Sequence, residues 1–113
     1  MTADQINNFL LKFDGVTTSR PFDQLKLVFS VNDQMFAILE DKQPVRLSLR
    51  CEPGLAKLLR EKYEEVMPGD HLDQRHWNTL ILTGQLSQTE IEDLIRHSYL
   101  QVASSPVSQT DEQ

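Results

Sequence analysis

The segment from Val45 to Cys51 is the feature that most constrains the fold of this chain. Apolar and polar residues alternate strictly along it, in the order Val45, Arg46, Leu47, Ser48, Leu49, Arg50, Cys51. A period of two predicts a β-strand with one face on a core and the other toward solvent. Pro53 follows and suits the first turn of a helix. The pattern therefore predicts a sheet that is covered on one side and displays arginine on the other.

Further strands can be assigned on both sides of this segment. Leu25 to Val31 alternates in the same way, and Asn32-Asp33 suits a two-residue hairpin turn before a return strand over Gln34 to Leu39. Asn78 to Thr83 is predicted to be a short strand, and residues 17–24 a loop.

Three amphipathic helices are predicted from apolar residues at helical spacing. Thr2 with Gln5, and Ser87 with Glu90, have the spacing of capping boxes at the starts of the first and third helices. The second helix starts at Pro53. The expected buried stripes are Ile6, Phe9, Leu10 and Phe13, then Leu55, Leu58, Leu59 and Tyr63, then Ile91, Leu94, Ile95, Tyr99 and Val102.

This order of elements predicts an α+β fold, a two-layer sandwich in which helices pack on one face of an antiparallel sheet. A length of 113 residues suits one domain, which we place at residues 1–103, with a flexible polar tail at 104–113. The first residues show no signal peptide, and no apolar run could span a membrane. We therefore expect a cytoplasmic monomer without a membrane partner.

The charge distribution bears on possible partners. The net charge of −6 opposes binding to nucleic acid, whose affinity for proteins comes mostly from Lys and Arg. Residues 42–78, however, carry seven basic and six acidic side chains, so the acidic excess lies outside the middle of the chain. The lone Cys51 lies in the alternating segment and is predicted to be a buried structural thiol.

Two arginines of the alternating strand are the first candidate site. Arg46 and Arg50 lie on the same face, roughly 13 Å apart at about 3.3 Å per residue. Guanidinium groups match phosphate oxygens, so this pair can bind successive phosphates. The alternative is a solvated face of an antiparallel sheet, which carries charge for solubility.

The segment from Pro68 to Thr79 is the second candidate site. It concentrates donors, acceptors and a large ring, in the residues His71, Arg75, His76, Trp77 and Asn78. An exposed ring can stack on a base, and the polar groups can contact bases or phosphates. Alternatively the segment is a rigid corner, with Trp77 closing the edge of the core. For Trp77 itself we predict the buried, structural role.

Neither a metal nor a catalytic centre is predicted. His71 and His76 have no evident third ligand, and no zinc-type spacing is present. The chain also has no Gly-rich phosphate loop, no nucleophile elbow and no carboxylate pair in apolar surroundings. We therefore expect a non-enzymatic protein with no cofactor and no tightly bound metal.

Four segments together resemble the MmcQ/YjbR family of small bacterial proteins. They are Leu47-Ser48-Leu49-Arg50-Cys51-Glu52-Pro53, Leu55 to Tyr63, the Pro-Gly-x-His and His-Trp-Asn elements of residues 68–78, and His97-Ser98-Tyr99. The resemblance implies a CyaY-like fold and DNA binding through two β-hairpin wings. By position it carries over His71, Arg75, His76, Trp77, Asn78, Ser98 and Tyr99.

The chain departs from the family pattern in its contact loop. The family has Tyr after Pro-Gly and more basic residues before His-Trp-Asn, where this chain has Asp70, Asp73 and Gln74. We therefore predict that any DNA binding is weak and nonspecific. The alternative is a protein-interaction module that uses the same sheet face and loop, with a partner that the sequence does not identify.

Overall fold

A computed structural model of the chain describes residues 1–69 and 72–104. Within these residues the chain forms three helices and six strands. The helices are α1 (Ala3–Leu10), α2 (Pro53–Lys62) and α3 (Gln88–Ala103); the strands are β1 (Thr17–Ser19), β2 (Lys26–Val31), β3 (Gln34–Glu40), β4 (Arg46–Arg50), β5 (Val66–Pro68) and β6 (Trp77–Ile81). The predicted α+β class is confirmed.

The strands form one antiparallel sheet in the order β1-β2-β3-β4-β6-β5. The predicted hairpin between β2 and β3 is present. Asn32 and Asp33 have φ angles of 53° and 62°, the left-handed values that a two-residue hairpin turn requires. Both predicted capping boxes, Thr2 with Gln5 and Ser87 with Glu90, are also formed.

One face of the sheet forms the core with the helices. Leu39, Leu47 and Leu80 lie opposite one another on β3, β4 and β6, and each is at most 4% exposed. The same cluster includes helix residues, among them Ile6, Leu10, Ile91, Ile95 and Val102. The described helices therefore cover a single face of the sheet, as the two-layer prediction requires.

The other face is here called the outer face, and its side chains stand in register across the strands. A central row runs through Val28, Ile38, Ser48 and Thr79. Lys26, Glu40, Arg46 and Ile81 form a parallel row on one side of it, and Arg50 lies opposite Trp77 on the other side. This face contains both arginines predicted as a candidate site.

The edge strands β1 and β5 were not predicted. Residues 17–19 were expected to belong to a loop, and residues 66–68 were given no strand. Each strand has three residues, too few for a visible alternation. β1 pairs with β2, and β5 pairs with β6. Their extended form therefore depends on pairing with a neighbouring strand, which their own residues do not indicate.

A buried hydroxyl group joins α3 to the sheet. Direct pairing of β3 with β4 ends at Ala37 and Leu49. Beyond that point Ser98 is inserted: its Oγ accepts a hydrogen bond from the Arg50 N–H at 2.9 Å and donates one to the Phe36 carbonyl at 2.5 Å. The hydroxyl thus replaces the next rung of the ladder and fixes the backbone at Arg50.

We expect Ser98→Ala to lower the free energy of unfolding by about 2 kcal/mol, because a buried N–H and a buried C=O both lose their partner. Urea denaturation measures the change. Ser19→Ala, at an exposed position of β1, is the control and should cost less than about 0.5 kcal/mol. Equal effects of the two substitutions would contradict a bridging role for Ser98.

The Tyr99 hydroxyl joins α3 to the segment after α1, because it donates a hydrogen bond to the Asp14 carbonyl at 2.7 Å. Residues 105–113, most of the predicted flexible tail, lie outside the described residues. Among the helices that the structure describes, none has the length and apolarity needed to cross a membrane.

Candidate functional site

Arg46 and Arg50 project from β4 onto the outer face, and both are partly exposed. Between them Ser48 lies opposite Thr79, and the two hydroxyl oxygens are 2.8 Å apart. Both hydroxyl-bearing residues are buried. The centre of the outer face is therefore a closed polar pair, with a partly exposed arginine on either side of it.

The surroundings of Arg46 are of mixed charge. Glu40 lies directly opposite it on β3, with Lys26 beyond on β2, and Lys42 approaches the Glu40 carboxylate at 3.5 Å. The ion pairs found in the described part of the chain do not include Arg46. Its Nε is buried and, in the same residues, has no hydrogen-bond partner.

Across the whole sheet positive charge prevails. The six described strands carry three basic residues, Lys26, Arg46 and Arg50, and one acidic residue, Glu40, for a net charge of +2. The acidic excess of the protein therefore lies in its loops, helices and C-terminal residues.

The Arg50 guanidinium lies over the ring of the single tryptophan. The two residues are cross-strand partners, and the Arg50 Cζ lies 5.7 Å from the centroid of the Trp77 ring. Trp77 is 4% exposed, so its predicted burial is confirmed. The ring lies on the outer face, however, and does not close the edge of the helix-covered core. A ring so covered cannot stack on a nucleic-acid base.

Gly69 allows the chain to pass close to this ring. Its N–H donates to the Trp77 carbonyl at 3.1 Å, which extends the pairing of β5 with β6. A Cβ atom at Gly69 would lie 2.7 Å from the Trp77 Cβ and 3.2 Å from the Leu72 Cβ. Glycine at position 69 therefore permits this close approach to β6 and to Leu72, which a side chain would prevent.

Asp73 organises the loop that leads into β6. Its Oδ2 is 2.8 Å from His76 Nδ1, and its Oδ1 accepts from the Arg75 N–H at 3.0 Å. These hydrogen bonds, the one from the His76 ring first, lower the pKa of Asp73 below its usual value. The loop therefore carries a fixed negative charge two residues from the exposed Arg75.

Asn78 was predicted to contact nucleic acid, but it lies on the helix-covered face and is 2% exposed. Its side-chain N–H donates to the Ala56 carbonyl at 3.1 Å, and its oxygen accepts from Arg60 at 3.2 Å. Arg60 also donates to the Gln74 carbonyl at 2.8 Å. Asn78 thus holds α2 on the sheet, and its amide is not available to a base.

The predicted residues are therefore only partly brought together. Arg46 and Arg50 share the outer face, while Arg75 and His76 lie in the loop beside Trp77. His71 lies outside the described residues. Sequence reasoning did not single out Arg60, because an arginine on an amphipathic helix has the pattern of any solvated position.

Metal and thiol chemistry find no support in the described residues. Within residues 1–69 and 72–104, no group of three or more His, Cys, Asp or Glu side chains is placed to hold a metal. Burial raises the pKa of the Cys51 thiol to about 11, which keeps it protonated and unreactive at neutral pH.

Comparison with known proteins identifies the family. The YjbR family model matches residues 11–101. Protein YjbR of Escherichia coli strain K12 is 30% identical over 105 residues, covering 92% of this chain and 89% of that protein. Protein YyaQ of Bacillus subtilis strain 168 is 36% identical over 53 residues, covering 47% of this chain and 44% of that protein.

Two solved structures share the fold. The crystal structure of Deinococcus radiodurans protein DR2400, domain DUF419, has a TM-score of 0.87 and 29% identity, covering 97% of this chain and 83% of that chain. A crystal structure of a Pseudomonas syringae protein has a TM-score of 0.73 and 28% identity, covering 87% of this chain and 96% of that chain. The chain described here therefore belongs to the YjbR family.

Proposed function

We propose that this protein binds DNA weakly and without base specificity, through phosphate contacts on the outer face of its sheet, and that it catalyses no reaction. The observation that carries the proposal is the position of Arg46 and Arg50 on one partly exposed face, on a sheet whose strands have a net charge of +2. Two arginines on one face, roughly 13 Å apart along the strand backbone, can contact separate phosphates of one DNA strand.

The absence of base readout follows from what the outer face offers. Ser48 and Thr79 bond to each other, and Trp77 is buried beneath Arg50. Asn78 is bound to α2 on the opposite face. The cations Arg46 and Arg50 are left for an anionic ligand, and cations bound to phosphate carry no sequence information.

One prediction concerns the salt dependence of binding to a short, labelled DNA duplex, measured by fluorescence anisotropy. With Arg46 and Arg50 of the outer face and Arg75 of the adjoining loop as the contacts, log K should fall against log salt with a slope of about −3. Arg46→Ala should weaken binding for every sequence alike and flatten the slope by about one unit.

Lys57→Ala is the matched control, because it removes one exposed positive charge from α2 and leaves the outer face intact. It should leave the slope unchanged. If the wild-type protein does not bind DNA even at low salt, or if both substitutions act equally, the outer face is not a DNA-binding surface.

A second candidate function is docking of a protein partner on the same face. It is favoured by the alternating charges of Lys26, Glu40 and Arg46 and by Met67, which is 46% exposed on the edge strand β5. Mixed charge beside an exposed apolar side chain is typical of the rim of a protein interface. If the anisotropy titration shows no DNA binding, docking of a protein partner becomes the preferred function.

A further inference from the structure

The two arginines of the outer face are held differently. Arg46 lies opposite Ile81, whose side chain offers no attraction for a cation, and its other cross-strand neighbour is Glu40. Arg50 lies opposite Trp77, and its guanidinium stands over the indole ring at 5.7 Å. A guanidinium over an indole face is a favourable cation–π contact.

The backbone and the ring beneath Arg50 are also fixed. Ser98 accepts the Arg50 N–H at 2.9 Å and thereby ties this end of β4 to α3. Trp77 is 4% exposed, and the close approach of Gly69 leaves no room for a side chain beside its Cβ. The ring is therefore packed within the protein, and the Arg50 side chain over it is partly exposed.

We infer that Arg50 is the principal phosphate contact of the outer face and that Trp77 is a positioning residue for its guanidinium. The inference rests on the proposed function and names the chemistry of its main contact. A guanidinium that stacks through its flat face keeps its edge N–H groups free for phosphate oxygens. Ordering the side chain before binding also reduces the entropy lost when the phosphate arrives.

The ligand chemistry that follows is a phosphodiester backbone, with no contribution from unpaired bases. The ring that would stack on a base is occupied by Arg50 from within the protein. Trp77 thus acts in binding through the cation that it holds.

Two charge-preserving substitutions test this inference. Arg50→Lys keeps the charge but loses the flat fork and its stacking, so it should weaken binding to the short DNA duplex about fivefold. Arg46→Lys, on the same strand and face, should change the affinity by less than about twofold. Both variants should keep the wild-type salt slope, because the number of cations is unchanged.

The change in Trp77 fluorescence on DNA binding is a second readout, and a purely structural role of Trp77 or Arg50 would not produce it. It is the one tryptophan of the chain, so its emission reports on the ring beneath Arg50. Binding of the duplex should change this emission in the wild type and in Arg46→Lys, and much less in Arg50→Lys. If Arg50→Lys does not fold, Trp77→Phe, which keeps an aromatic ring, should weaken binding without changing the salt slope.

The outcomes separate the inference from the proposed function. Equal affinities of the two lysine variants, or DNA binding that leaves the Trp77 emission unchanged, would overturn the inference and leave DNA binding standing. A wild-type protein that does not bind the duplex at low salt would overturn both.

Discussion

Replacing Trp77 by alanine is expected to lower the free energy of unfolding by about 3–5 kcal/mol, the range for removing a buried aromatic side chain. The ring is 4% exposed, and its loss leaves a cavity between Arg50 and the Gly69 backbone. Chemical denaturation should be followed by far-UV circular dichroism, because the substitution removes the tryptophan that fluorescence would observe.

Phe22→Ala provides the control for this experiment. Phe22 is 56% exposed, so its truncation should cost less than about 0.5 kcal/mol. If Trp77→Ala costs less than about 1 kcal/mol, the ring is accessible in solution and stacking on bases becomes possible again.

The second large effect is expected at Glu65, a buried carboxylate that holds the connection between β6 and α3. Its Oε2 accepts from the Thr83 hydroxyl at 2.6 Å and from the Thr83 N–H at 3.1 Å. Its Oε1 accepts from the Leu86 N–H at 2.7 Å. One side chain thus satisfies several donors of a segment that has no strand partner of its own.

Glu65→Gln should lower the free energy of unfolding at neutral pH by about 3 kcal/mol, since hydrogen bonds to a charged group contribute roughly 1.5–3 kcal/mol each. In glutamine an NH₂ group replaces one carboxylate oxygen. A donor then faces the N–H and O–H donors of this segment, and at least one hydrogen bond is lost. Glu64→Gln is the control at the adjacent, exposed position and should cost less than about 0.5 kcal/mol. Similar losses for the two variants would contradict this role of Glu65.

The effect of Glu65 should depend on pH. Burial acts to raise the pKa of this carboxyl group, but the hydrogen bonds from Thr83, Leu86 and Gln85 outweigh it, and the pKa lies below its usual value of 4.5. The carboxylate therefore stabilises the fold fully above pH 4.5 and loses this effect as the pH falls through the lower, folded-state pKa. The difference in stability between the wild type and Glu65→Gln should shrink over the same range.

The segment from Pro68 to Asn78 combines residues that are packed inside the protein with residues that are exposed. Gly69, Trp77 and Asn78 are committed to packing or to hydrogen bonds within the protein. Arg75 is exposed, and Asp73 and His76 bond to each other. A run of unusual residues in a sequence can therefore mark a rigid corner that also carries exposed polar side chains.

Local patterns in the sequence were sufficient for much of the fold. The alternation in β4, the hairpin at Asn32-Asp33 and the capping boxes of α1 and α3 each depend on interactions within a few residues, and all are present. The alternation also placed Arg46 and Arg50 on the face away from the core. The assignment to a CyaY-like fold stays a prediction.

Only the tertiary structure decided the rest, because those features depend on contacts between elements and not on the pattern within one segment. β1 and β5 are extended because they pair at the edges of a sheet, and their own residues show no strand pattern. Ser98 forms hydrogen bonds to both Phe36 and Arg50. Asn78, predicted to contact nucleic acid, instead forms a hydrogen bond to α2. Trp77 was correctly expected to be buried, but its position beneath Arg50 follows from the register of β4 with β6, which no local pattern encodes.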